Sequence, residues 1–281
     1  MSRNPYHHES TQPKLRQSVF VFMDILGYTE MILNSQNNGT EAQTLVDLHS
    51  ALSAGRTRLE GKDLPKALQD FSKKEFFALK AFTDNIVIGW PVDSDAEVEF
   101  GSAFMYLAEF QFNMAIRGYF VRGAISVGPA FIDEIAVFGS ALTDAYIGES
   151  KLARDPRIIL TRSAVTATQQ HLKYYHPPSH APHVRDLLKD SDGQWFLNYL
   201  EAVMISEHEH GPFYEEFLLH KVAVERRLME HTANPTIWAK YAWVASYHNY
   251  FCDLHSNYFN DEHRVDVELF KTRPSLITDE T

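Results

Sequence analysis

An almost unbroken apolar run, Ser18–Met23, ends in Asp24 and reaches Gly27 three residues later. Val19, Phe20, Val21 and Phe22 are β-branched or aromatic, so the run predicts a strand. It does not alternate with polar residues, so both of its faces need cover and it belongs in the middle of a layered sheet. A second β-rich stretch has the same ending. Phe76–Ala81 and Ile86–Trp90 flank Phe82-Thr83-Asp84-Asn85, whose Asp and Asn suit a hairpin turn.

Helical spacing fills the intervals. Glu41–Leu59 repeats Leu45, Val46, Leu48 and Leu52, and Asp95–Met114 carries Phe100, Ala103, Phe104, Leu107 and Phe110 on one stripe. Gly118–Val127 and Phe131–Val137 predict two more strands turning at Gly128-Pro129. A helix through Ala141, Leu142 and Ala145 follows Gly139, and Arg157–Leu160 is a short strand. The order is that of an α+β, ferredoxin-like βαββαβ core, with an antiparallel-rich sheet and helices on one face. Beyond residue 162 the pattern turns mostly helical. Pro212–His231 and Pro235–Phe251 are helices, whereas Gly193–Val203 fits a strand or a helix. The expected division is a disordered arm at 1–17, a catalytic-type domain at 18–162 and a helical extension at 163–281 packed on it.

The net charge of −11 over 281 residues excludes a surface that coats nucleic acid. An anionic ligand then needs a local site, which a bound cation would supply. The single cysteine, Cys252, rules out an intramolecular disulfide. With no signal-like or membrane-spanning run, the expectation is a cytoplasmic protein without a membrane partner.

Asp24 and Asp84, at the ends of strands that a sheet would make neighbours, are hard oxygen ligands suited to Mg²⁺ or Mn²⁺. Ile25 could add its carbonyl, and Gly27, Tyr28 and Thr29 could offer amides to phosphate oxygens. Lys80 lies four residues before Asp84, and Arg122, Lys151 and Arg154 are further cationic candidates for phosphate or base. His171, His176, His180 and His183, around Pro177-Pro178, read as an exposed loop. His208-Glu209-His210 lacks the spacing of a zinc site. The stripe Trp238, Tyr241, Ala242, Ala245 and His248 reads as core or dimer interface.

These segments resemble the class III nucleotidyl cyclase catalytic domain over about residues 18–160. The likeness is carried by Asp24-Ile25-Leu26-Gly27-Tyr28-Thr29, by Lys80 with Asp84, by Val121-Arg122-Gly123-Ala124-Ile125-Ser126-Val127-Gly128 and by Phe138-Gly139. Two departures stand out. Thr143 and Ile147 occupy positions where the family places a transition-state Asn and Arg, and Ala136 replaces a purine-reading Asp. The phrasing is most similar to bacterial antiphage pyrimidine cyclases of the Pycsar type. That resemblance implies conversion of UTP to cyclic UMP and pyrophosphate, with CTP as the alternative substrate. It also implies two divalent ions, Mn²⁺ or Mg²⁺, held by Asp24, Ile25 and Asp84, and Lys80 facing the base. A head-to-tail homodimer would form the site, and a separate effector protein would read the cyclic product. A degenerate, non-catalytic nucleotide-binding homologue is the competing expectation.

Overall fold

The computed structural model describes residues 4–7, 12–59, 77–92, 95–205 and 210–271. Phe76 and the pair His208-Glu209 lie outside the described residues, as do parts of the expected arm and the chain from 272 onward.

Strand β1 (Arg16–Ile25) sits inside a sheet of eight strands among the described residues, as its apolar run requires. The hairpin of β2 (Ala78–Phe82) and β3 (Asn85–Pro91) lies on one side of it and β4 (Val121–Ile132) on the other. Both neighbours run antiparallel to β1. The helices α1 (Tyr28–Asn38), α2 (Glu41–Leu59) and α3 (Glu97–Ala115) complete a ferredoxin-like α+β core in the strand order β2-β3-β1-β4. The short strand β6 (Ile158–Leu160) then pairs with β4 in parallel.

The side chains of β1 split by parity, because successive residues point to opposite faces. Val19, Val21, Met23 and Ile25 join Phe100, Phe104 and Leu107 of α3 in the larger core. Phe20 and Phe22 join Tyr6, Val87, Ala130, Ala141 and Ala145 in a second, smaller core. Helices therefore do not keep to one face. Helix α4 (Ser140–Lys151) covers the second face, where Ser126 Oγ donates to the Ala141 carbonyl at 2.6 Å. Two fully apolar faces on β1 demand that second layer.

The turn expected at Gly128-Pro129 is not one. Strand β4 runs straight through both residues, pairing Gly128 with Ser18 and Pro129 with Gln17. The chain reverses instead at Asp133, whose Oδ1 accepts the N–H groups of Ile135 at 2.8 Å and Ala136 at 2.7 Å. This Asx turn leads into β5 (Val137–Gly139), which pairs with the end of β4. The described part of the N-terminal arm is likewise ordered. Tyr6 is buried with its hydroxyl 3.0 Å from Ser18 Oγ, and Arg16 donates to the Pro5 carbonyl at 2.7 Å.

The sheet does not stop at residue 162. Strands β7 (Leu187–Lys189) and β8 (Trp195–Leu197) extend it beyond β6. The fully buried Arg157 ties this extension down. It pairs with Asp190 and Asp192 and lies 5.2 Å from the Trp243 ring of α8 (Pro235–Leu254). Helix α5 (Arg162–His171), the short α6 (His183–Asp186) and α7 (Tyr214–Glu230) complete the helical set used below. His171 and His183 are buried against Phe100 rather than exposed, since an imidazole ring edge packs well on an aromatic face. The stripe from Tyr241 through Ala245 to His248 is core, as its spacing indicated.

Candidate active site

Strand register brings the acidic pair together. Asp24 is paired with Asn85 on one side and Arg122 on the other. The Ile25 N–H donates to the Asp84 carbonyl at 3.0 Å, which fixes the hairpin turn against the end of β1. Asp84 Oδ1 accepts from Thr83 Oγ1 and Asn85 Nδ2, each at 2.8 Å, so one carboxylate oxygen is oriented by its own turn. Thr83 takes a left-handed φ of 54° to close that turn.

Burial pushes the Asp24 carboxyl up to about 6. The Arg122 guanidinium opposes this, while the charges of Asp84 and Glu149 and a side-chain hydrogen bond with Asp84 reinforce it. Two carboxylates at hydrogen-bonding range repel when both are ionised. A divalent cation between them removes that repulsion, so the donor set fits Mg²⁺ or Mn²⁺. Among the described residues no three His, Cys, Asp or Glu side chains converge into a ready-made cage.

Immediately beyond, Gly27 adopts φ 75° and α1 begins. No side chain caps it, and its first turn contains Tyr28 and Thr29. The opening amides of a helix have no intrahelical acceptors, so they are available to an anion arriving over Asp24.

On the same sheet face as Asp24 lies a cavity of about 570 Å³. Phe22, Val87 and Lys80 form one cross-strand row in its floor, and Phe82, Thr143 and Tyr146 line it further. Tyr146 meets Phe22 edge-on at 5.4 Å. Lys80 Nζ is held by the Glu134 carbonyl at 3.0 Å and reaches the Asp133 carbonyl at 3.5 Å. The cavity thus offers aromatic walls and one anchored cation beside the acidic pair.

Arg122 has two partners, Asp24 Oδ2 at 3.3 Å from Nη2 and Glu149 Oε1 at 2.8 Å from Nε. Glu149 is buried, and its carboxyl is raised by that burial while Arg122 lowers it. Gly148 permits this approach of α4. A Cβ there would lie 2.8 Å from the Ala124 Cβ and 2.9 Å from the Thr161 Cγ2.

The structure brings Asp24, Ile25, Asp84, Gly27, Tyr28 and Arg122 to one end of the sheet, with Thr29 in the adjoining helix turn and Lys80 in the cavity alongside. Lys151 is exposed, and Arg154 turns to Asp155 at 3.2 Å, so neither joins them. Ile147 is exposed on α4, whereas Thr143 lines the cavity. Sequence reasoning missed Glu149, although its place one helical turn past Ala145 on the buried stripe of α4 was a usable signal.

No family model matches this chain, and no curated protein matches it. Among solved structures it is similar to a class III adenylyl cyclase-like ATP-binding protein from Pseudomonas aeruginosa. The identity is 14% and the TM-score 0.40, covering 64% of this chain. The match spans 44% of that protein's length.

Proposed function

We propose that the protein is a metal-dependent nucleotidyl cyclase that closes a pyrimidine nucleoside triphosphate, UTP in preference to CTP, into its 3′,5′-cyclic monophosphate. The observation that carries this reading is the mutual approach of Asp24 and Asp84 beside an aromatic-walled cavity holding Lys80. Ala136, where a purine-reading Asp stands in the resembling family, favours a pyrimidine and leaves Lys80 as the cation at the base.

The ribose 3′-oxygen would bond to the α-phosphorus as the bond to pyrophosphate breaks, and the hydroxyl proton would pass to solvent water. Two divalent ions, when bound, would acidify that hydroxyl and neutralise the leaving group. Asp24 and Asp84 would hold them, with the Ile25 carbonyl as a backbone ligand. The amides of Gly27, Tyr28 and Thr29 would receive phosphate oxygens, and Arg122 would stand ready beside Asp24. Phe22, Phe82 and Tyr146 would exclude water around a single-ring base.

The exposed apolar residues Ile135, Phe138, Tyr146 and Ile147 border this site. They support a head-to-tail homodimer that closes the cavity. Among the described residues no helix is long and apolar enough to cross a membrane. The product would act as a cytoplasmic second messenger in antiphage defence, read by a separate effector.

Incubation of purified protein with each of the four nucleoside triphosphates and Mn²⁺, with chromatography of products, tests this. Cyclic UMP is the expected main product, and cyclic AMP or GMP in its place would overturn the pyrimidine assignment. Thr143 and Ile147, in place of the resembling family's transition-state Asn and Arg, favour a second reading, a nucleotide-binding module without turnover. Calorimetric binding of UTP with no product under any metal would establish that alternative.

A further inference from the structure

Helix α8 packs against Arg157 and Asp190 from outside the ferredoxin-like core. Its Trp243 donates Nε1–H to Asp190 Oδ2 at 2.7 Å, and its ring lies 5.2 Å from the Arg157 guanidinium. The Arg157 carbonyl accepts the N–H of Gly123 at 3.0 Å, and Gly123 is the residue after Arg122. Lys240 precedes Trp243 by three residues, on the same side of the helix.

We propose that Lys240 is a substrate-binding residue, contributed to the site by α8, whose ammonium grips the polyphosphate of a nucleoside triphosphate. This rests on the triphosphate reading of the site. Lys240 is half-buried, and the charges of Arg122, Asp24, Asp155 and Glu149 act on it. Among the described residues it makes no hydrogen bond and no ion pair within 4.0 Å. The other cations nearby are engaged, Arg122 by Asp24 and Glu149, Arg154 by Asp155 and Lys80 by backbone carbonyls.

A partly desolvated ammonium without a direct partner is unfavourable unless an anion completes it. Burial, followed by Arg122, holds its pKa below the usual lysine range while Asp24 pulls the other way. A phosphate chain arriving over the Asp24 and Asp84 cations would supply the missing counter-charge. It would do so where Thr143 and Ile147 carry none. A general neutraliser of the acidic cluster is the dull alternative.

Binding of a non-cyclisable α,β-methylene UTP and of UMP, each with Mn²⁺, separates the two, measured on the full chain and on Lys240→Met and Lys240→Arg variants with thermal melts alongside. The expected result is an approximately tenfold or greater loss of triphosphate affinity in Lys240→Met, with UMP affinity nearly unchanged. Lys240→Arg should recover most of the loss, and KM should rise more than kcat falls. Unchanged triphosphate affinity in Lys240→Met, with or without a lower melting temperature, overturns the role of Lys240 alone. Absence of any triphosphate binding by the unsubstituted protein overturns the nucleotide reading as well.

Discussion

Asp24 and Arg122 face one another across the β1–β4 ladder, with Oδ2 3.3 Å from Nη2, while Asp84 approaches the same carboxylate from the β2–β3 turn. The carboxylate at the end of the central strand thus stands between a fixed cation and a like charge. Its carboxyl is raised to about 6, so folding disfavours its charged form. A raised carboxyl loses stability as pH climbs from its unfolded value through the folded one. In the metal-free protein at pH 7.5, Asp24→Asn should therefore raise stability by about 1–2 kcal/mol, and the gain should vanish near pH 4. The same variant, and Asp84→Asn, should lose Mn²⁺ binding by about two orders of magnitude in calorimetry.

Glu149 gives Arg122 a second anchor from α4, and the two make different contributions. Arg122→Ala leaves a buried carboxylate without its cation and should cost roughly 2–4 kcal/mol. Replacing both, as Arg122→Met with Glu149→Met, should return most of that stability. Urea midpoints of the two single variants and the double variant measure the coupling directly.

Helices α7 and α8 share a buried proton chain. His248 Nε2–H donates to the His263 carbonyl at 2.8 Å, so its Nδ1 accepts from His220 Nδ1–H at 2.9 Å. His220 Nε2 then accepts from the Tyr199 hydroxyl at 2.9 Å. Every proton is assigned with both rings neutral, and burial lowers both imidazoles, His248 to about 4. Stability from the pair is complete above the unfolded value near 6.5 and is lost as pH falls from there toward the folded one. Thermal melts should show a steep decline between about pH 6 and pH 4. Tyr199→Phe should cost about 1–2 kcal/mol at neutral pH by leaving His220 without its donor.

Tyr6 rests on Gly89, where a Cβ would collide with the tyrosine hydroxyl and lie 3.2 Å from the Phe20 ring. Gly89→Ala should expel the N-terminal arm and destabilise the fold by about 1–3 kcal/mol. Combining it with Tyr6→Phe, which removes the colliding oxygen, should cost less than the sum of the two. A double-mutant cycle on chemical denaturation reads the difference.

The acidic pair was legible because a strand-terminating aspartate and a hairpin aspartate each carry a local signal, and the apolar run of β1 fixed their shared sheet. The turn at Asp133 was obscured by Gly128-Pro129, which has the composition of a turn. There Gly128 meets the helix that begins at Ser140, and Pro129 pairs with Gln17 near the start of β1, so both residues suit an extended strand. The burial of His171 and His183 depends on Phe100 and Phe104, some 70 residues away, and no local pattern encodes that contact. Glu149 and Lys240 were hidden for a related reason. Each resembles an ordinary helix-surface charge until the tertiary packing sets it against Arg122 and Asp24.

Arg157 joins its own segment to two distant stretches of chain, one through Asp190 and Asp192 and the other through Trp243. Cutting the polypeptide after residue 162 would strip a guanidinium of every counter-charge beyond its own loop and bare the edge of β6. The portion carrying Asp24 and Asp84 is consequently not a transplantable module. Any chimera or shortened version made from this protein has to retain the segment through α8.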